Sequence, residues 1–180
     1  MRQAVRLKRD IIQDYIFTGA YIDMEISTEV QMLGKVVIAA LLGGLVGLER
    51  EVAERPAGLR THMLVGATAT LFVMLANIML ATLNPRNIIR ADPVRIVEAV
   101  VVGISFLGAG TILKYRQEGE RVVEGLTTSA SILSVAAIGI AVALDVYILA
   151  VGAAVLNLFI NWGLMAVVDR ARKKAEDILE

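Results

Sequence analysis

The sequence has no cysteine. This excludes disulfides, thiol nucleophiles and cysteine-ligated metals, and leaves the redox compartment open. Histidine is almost as scarce: His62 stands alone among 180 residues, which argues against a histidine-built transition-metal site. At a membrane interface, His62 reads as an ordinary interfacial side chain ahead of a pH sensor. There is no excess of either charge. Eighteen basic residues balance eighteen acidic ones, so nothing points to nucleic acid as a partner. Residues 1–16, MRQAVRLKRDIIQDYI, lack the apolar core and small-residue site of a cleavable signal peptide. A nucleotide-binding motif, a catalytic triad and paired buried acids are also missing, which argues against an enzyme.

What the sequence does have is apolar surface. Hydrophobic residues make up 57% of the chain and charged ones 20%, against about 45–50% and about 25% in soluble domains. The excess is gathered in long runs, the pattern of an integral membrane protein whose first partner is the lipid bilayer.

Those runs predict an all-α architecture of five transmembrane helices. Residues 1–32 form an N-terminal tail, residues 33–168 the membrane domain and residues 169–180 a C-terminal tail. In the N-terminal tail, Ala4, Leu7, Ile11 and Tyr15 recur at helical spacing, which suits an interfacial amphipathic helix and equally a partly ordered tail. The first span is expected over Leu33–Leu48. Its uncharged core is about 20 Å long, short of the roughly 30 Å required, so it extends back through Val30 with Lys35 snorkelling. Pro56 is expected to end a helical overhang braced by Arg50–Glu54 and Glu51–Arg55 pairs, and Thr61 to cap a second span over His62–Leu83. Asn84-Pro85 opens a polar loop. Asp92-Pro93 then starts a third span over Val94–Leu113, followed by a charged loop over Lys114–Glu124. The fourth and fifth spans, Leu126–Leu144 and Val146–Val168, are separated only by Asp145.

Charge sets the orientation. Arg50, Arg55, Arg60, Lys114, Arg116, Arg121, Arg170, Arg172, Lys173 and Lys174 fall on one side, against Lys35, Arg86, Arg90 and Arg95 near the spans on the other. The richer side is expected to be cytoplasmic, with the N-terminus outside and the C-terminus inside. Gly58-Leu59-Arg60-Thr61 and Gly125-Leu126-Thr127-Thr128 echo each other at matching re-entry points. The echo suggests a duplicated helical hairpin plus one helix, although two such short matches also lie within reach of chance.

Three blocks carry a family resemblance: GLEREVAERPAGLRTHMLVG (47–66), DPVRIVEAVVVGISFLGAGTIL (92–113) and GLTTSASIL (125–133). In order and spacing they resemble the signature blocks of the MgtC/SapB family. The resemblance implies a multi-pass protein of the bacterial inner membrane with five helices and a cytoplasmic C-terminus. It also implies a role in adaptation to low magnesium or acid stress, and in some members modulation of the membrane ATP synthase. Longer members carry a cytoplasmic C-terminal domain that this sequence does not extend into. Ser105 and Glu98-Ala99 depart from the expected pattern, the latter by introducing an acid.

Three groups of residues are the site candidates. The first is a charged elbow of Glu49, Arg50, Glu51, Arg60 and Thr61, read either as a solvated, membrane-anchoring helix end or as a cluster that touches a partner or gates a polar cavity. The second is a set of small residues for helix packing, Gly43, Gly47, Gly103, Gly108, Ala109 and Gly110, which admit a homodimer or another membrane-protein partner. The third is intramembrane polarity: Asn77, Glu98, Thr127, Thr128 and Asn157, with Ser105, Thr111, Ser129, Ser131, Ser134 and Asn161. Interhelical hydrogen bonding accounts for the neutral ones, while Glu98 either pairs with Arg95 or lines an ion route. No cofactor or metal ligand set is evident. Magnesium finds weak support, because it usually takes one or two carboxylates and Glu98 is alone within the spans. The alternative function is a small magnesium or proton transporter.

Overall fold

The structure, a computed structural model, describes residues 26–83, 92–117 and 120–163. The expected 1–16 helix, the Asn84-Pro85 loop and the basic C-terminal tail lie outside those residues.

Five helices follow in order: α1 (Ile26–Val52), α2 (Leu59–Leu83), α3 (Pro93–Gly110), α4 (Leu126–Ala143) and α5 (Tyr147–Leu158). The last continues as a π-helical turn, Phe159–Gly163. Among the described residues three segments are long and apolar enough to cross a membrane: Ile26–Val52, Leu59–Ala81 and Leu126–Ala143. Tyr147–Gly163 is a shorter apolar helix, so the expectation of five crossings exceeds what length and composition support here.

α4 is the central helix and touches the other four, whereas α3 sits at the edge, packed mainly on α4. The core is built from small and branched side chains, including Ala39 and Val46 of α1, Ala69 of α2, Ile132, Val135 and Val142 of α4, and Ala150 and Ala154 of α5. The helices can therefore approach closely without large side chains between them.

The all-α expectation needs one correction. The stretch read as a charged loop contains an antiparallel hairpin of β1 (Leu113–Gln117) and β2 (Glu120–Glu124), with Leu113 opposite Glu124. Tyr115, Val122 and Val123 favour strand geometry locally, and α3 stops at Gly110 rather than continuing to Leu113, which leaves Leu113 free to open β1.

Helix ends also depart from expectation. α1 stops at Val52 before Pro56 is reached, because Glu54 adopts a left-handed conformation (φ 52°). Arg55 N–H then bonds the Arg50 carbonyl at 3.0 Å and Glu54 N–H the Glu51 carbonyl at 3.1 Å, the paired closure of a Schellman motif. Pro56 follows a stop already made. The same closure ends α4: Asp145 takes φ 63°, Val146 N–H bonds the Ala141 carbonyl, and Asp145 N–H bonds that of Val142. At Asp92 the expectation and the structure agree, for its side chain accepts from Val94 N–H at 3.0 Å with Pro93 opening α3.

At the end of the bundle away from the elbow, Lys35 Nζ donates to Asp145 Oδ2 at 2.7 Å and Tyr147 Oη to Asp145 Oδ1 at 2.8 Å. About 22 Å of helix separates Lys35 from Arg50 at about 1.5 Å per residue, somewhat less than the roughly 30 Å of a bilayer core. The hydrogen bond from Lys35, then that from Tyr147, hold the Asp145 carboxyl below the usual carboxylate range. A depressed folded-state pKa stabilises the fold above the unfolded value and loses that contribution as pH falls through the folded one. Asp145→Asn keeps a residue that tolerates the left-handed turn. Its melting temperature should therefore lie below wild type at neutral pH and converge with it below about pH 4. A gap that persists unchanged at pH 3 would remove this pair from the account.

Candidate functional site

Arg50 is the centre of the elbow, and it is buried, 3% exposed. It lies two residues before the end of α1, with its side chain on the inner face of the bundle instead of in water. There Nη2 donates to Thr127 Oγ1 at 3.1 Å and Nη1 to Asn161 Oδ1 at 3.2 Å. Glu49 Oε2 lies 3.7 Å from Nη1, close enough for Coulomb attraction and too far for a hydrogen bond. Glu49 Oε2 and Arg50 Nε are both buried without a hydrogen-bond partner.

From Arg50 a polar file leads inward. Asn161 Nδ2 donates to Asn157 Oδ1 at 2.8 Å, and Asn157 Nδ2 to Ser134 Oγ at 2.6 Å. Asn157 and Asn161 are one turn apart on α5 and its extension, so they share a face. Ser134 lies halfway along the 18 residues of α4, so the file runs from the elbow to mid-helix. Thr127, Ser131 and Ser134 recur at helical spacing, a signal in the sequence that pointed to one polar stripe on α4.

His62 lies beside this file. It is fully buried, correcting the expectation of an interfacial side chain. Its Nδ1 stands 2.8 Å from the Gly58 carbonyl and its Nε2 2.8 Å from Ser131 Oγ. The carbonyl can only accept, so Nδ1 carries a proton and donates to it, while Nε2 and the Ser131 hydroxyl share the second hydrogen bond. His62 thus ties α2 to α4. Deeper in, the Thr70 hydroxyl lies between the carbonyls of Gly66 (3.0 Å) and Gly139 (2.7 Å), a second link between the same helices.

The rest of the elbow is arranged differently from the sequence expectation. Glu51 does not pair with Arg55; its Oε2 accepts from Leu59 N–H at 2.9 Å and so caps α2 from across the turn. Thr61 therefore caps nothing, since α2 already begins at Leu59 and Thr61 lies inside it, exposed. Arg60 is exposed as well. The Arg50–Glu54 pair is likewise absent, because the left-handed turn at Glu54 takes that side chain off the helical i,i+4 spacing.

The small residues divide into two sets. An added Cβ on Gly47 would meet Leu59 Cα at 2.8 Å and His62 Cβ at 2.9 Å, and one on Gly43 would meet the His62 carbonyl. Gly108 faces Ser129, where a Cβ would meet Oγ at 2.6 Å. His62 and Ser129 each stand four residues after the glycine of a GLxT element, and each meets a glycine of the preceding helix. Gly103 and Gly110, by contrast, have nothing within 4 Å of an added Cβ, and Ala109 is exposed. Of the remaining polar residues, Thr128 is buried on α4 while Asn77 and Glu98 are exposed. Among the described residues no ion pair joins Glu98 to Arg95, and no three His, Cys, Asp or Glu side chains gather to hold a metal.

Comparison with known proteins matches residues 36–170 to the profile described as "MgtC family". YhiD of Escherichia coli (strain K12), whose name provisionally assigns it magnesium transport, is 36% identical over 126 residues, 70% of this chain and 57% of that protein. Protein SapB of Bacillus subtilis (strain 168) is 36% identical over 128 residues, 71% of this chain and 51% of SapB. Protein MgtC of Brucella abortus (strain 2308) is 41% identical over 102 residues, 57% of this chain and 38% of MgtC. The matched part of the chain thus spans about half the length of these relatives. No solved structure matches.

Proposed function

The chain belongs to the MgtC family, and on that premise we propose that it is a non-enzymatic regulator of the bacterial inner membrane that acts by helix contact with another membrane protein. In this reading five helices cross the bilayer, with the N-terminus outside and the C-terminus in the cytoplasm. The role is adaptation to low magnesium or acid stress, and an assembly such as the ATP synthase is the kind of target.

The observation that supports it is the open face of α3. Gly103, Leu107 and Gly110 share that face, neither glycine has a neighbour within 4 Å of an added Cβ, and Phe106 beside them is 82% exposed. Small residues between large exposed ones allow a second helix to approach the backbone, the geometry of membrane helix pairs. A homodimer would use the same face.

The absence of native cysteine makes the test clean. Phe106→Cys in native membranes should give a cross-linked adduct with a partner or a second copy, whereas Ile104→Cys, at a buried position, should give none. Purified protein in liposomes should show no magnesium or proton flux above empty liposomes. The rival reading, a transporter, draws support from the polar file that runs from Arg50 to Ser134. Flux above that baseline, abolished by Asn157→Leu, would replace the regulatory reading with it.

A further inference from the structure

Between the elbow ends of α1 and α5 lies a groove of about 720 Å³. Leu48 and Val52 form one wall, Leu158, Phe159 and Trp162 the other, and Glu49 is the single titratable side chain on the lining. Val52 is 82% and Trp162 77% exposed, so the groove opens sideways where the helices leave the membrane. An indole at such a boundary sits at headgroup level. Apolar walls in that position suit an acyl chain.

The polar end has its own requirement. Arg50 commits its two terminal nitrogens to Asn161 and Thr127, so neither hydrogen-bonds Glu49, whose Oε2 is buried toward the guanidinium while the side chain keeps 13% exposure and lines the groove. A carboxylate mostly withdrawn from water is costly to leave without donors. A hydrogen-bond donor entering the groove, preferably a cationic one, would meet the exposed part of that carboxylate. The Arg50 guanidinium opposes a second cation, but Coulomb energy falls with distance, so a donor in contact with the carboxylate gains more than it loses to a guanidinium held back by two other partners.

We propose that this groove binds a phospholipid with a primary-ammonium headgroup, its acyl chain along Leu48, Val52 and Phe159 and its ammonium on Glu49. Phosphatidylethanolamine fits. A choline headgroup carries the charge but has no N–H to donate. A glycerol headgroup leaves the phosphate's negative charge uncompensated beside the carboxylate.

Trp162 is the only tryptophan in the sequence and lines the groove, so its fluorescence reports occupancy directly. In vesicles of unbrominated phosphatidylcholine, a small fraction of phosphatidylethanolamine with brominated chains should quench Trp162 several-fold more than equal fractions of brominated phosphatidylcholine or phosphatidylglycerol. Glu49→Gln should bring phosphatidylethanolamine down to the level of phosphatidylcholine. Equal quenching by all three lipids, stronger quenching by phosphatidylglycerol, or a preference that survives Glu49→Gln would each overturn the assignment. So would the absence of quenching by any of them, which would give the groove to a protein partner. Should Glu49→Gln fail to insert as a helical protein, the three-lipid comparison on the unaltered chain decides alone.

Discussion

Replacing Arg50 by alanine is expected to destabilise the membrane domain by about 3–5 kcal/mol, the range for removing one partner of a buried charge pair. The loss has three sources. Glu49 would keep a buried carboxylate with its one nearby cation gone, Thr127 would lose the guanidinium that donates to it, and Asn161 would lose its link to α1. A paired replacement, Glu49→Gln with Arg50→Met, should recover much of the loss, because it removes both charges and leaves no uncompensated ion. Arg55→Ala, at an exposed position, should change stability by no more than about 0.5 kcal/mol. Reversible unfolding in mixed micelles measures all three. Arg50→Ala as stable as Arg55→Ala would mean that the guanidinium is solvated, and the buried elbow would be wrong.

Gly43→Leu carries the second large effect. Gly43 faces the His62 backbone carbonyl so closely that even a Cβ has no room, and Val135 stands on the other side at 3.0 Å. Backbone cannot yield as a flexible side chain can, so α1 and α2 would have to separate, at a cost of about 1–3 kcal/mol or more for such overpacking. Separation would also pull His62 from Ser131 and the Leu59 N–H from Glu51, since both links depend on where α2 sits. Gly43→Ala should show the smaller form of the same defect. Gly34→Ala is the control: nothing lies within 4 Å of an added Cβ, and helix propensity makes the change neutral or favourable by up to about 1 kcal/mol. Equal stability of Gly43→Leu and Gly34→Ala would show that the α1–α2 seam is looser than described.

These two positions show where reading the sequence stops. Gly43 and Gly103 look alike in it: each is a small residue in an apolar helix, and small residues permit close approach without naming a neighbour. One is pressed against a backbone carbonyl and the other faces open space. Arg50 and Glu51 are likewise adjacent charges at a helix end, and their four-residue spacing to Glu54 and Arg55 predicted two ion pairs. A left-handed turn at Glu54 cancelled both. Local spacing carried no sign of that turn, because only a minority of such positions are taken by residues other than glycine.

The sequence by itself determined the membrane class, the order of the five helices, the Asp92-Pro93 helix start and the family. Each follows from local composition or from a contiguous block of residues. The tertiary structure alone decided that Arg50 and His62 are buried, that Glu51 caps α2 across the turn, and that Asn161, Asn157 and Ser134 join into one file. It also set Glu98 apart from that file, exposed on the edge helix α3. The physical reason is clearest at Arg50 and His62, whose hydrogen-bond partners on other helices lie 69 to 111 positions away. Helical periodicity fixes which face a residue occupies, but the facing helix is known only once the bundle has closed.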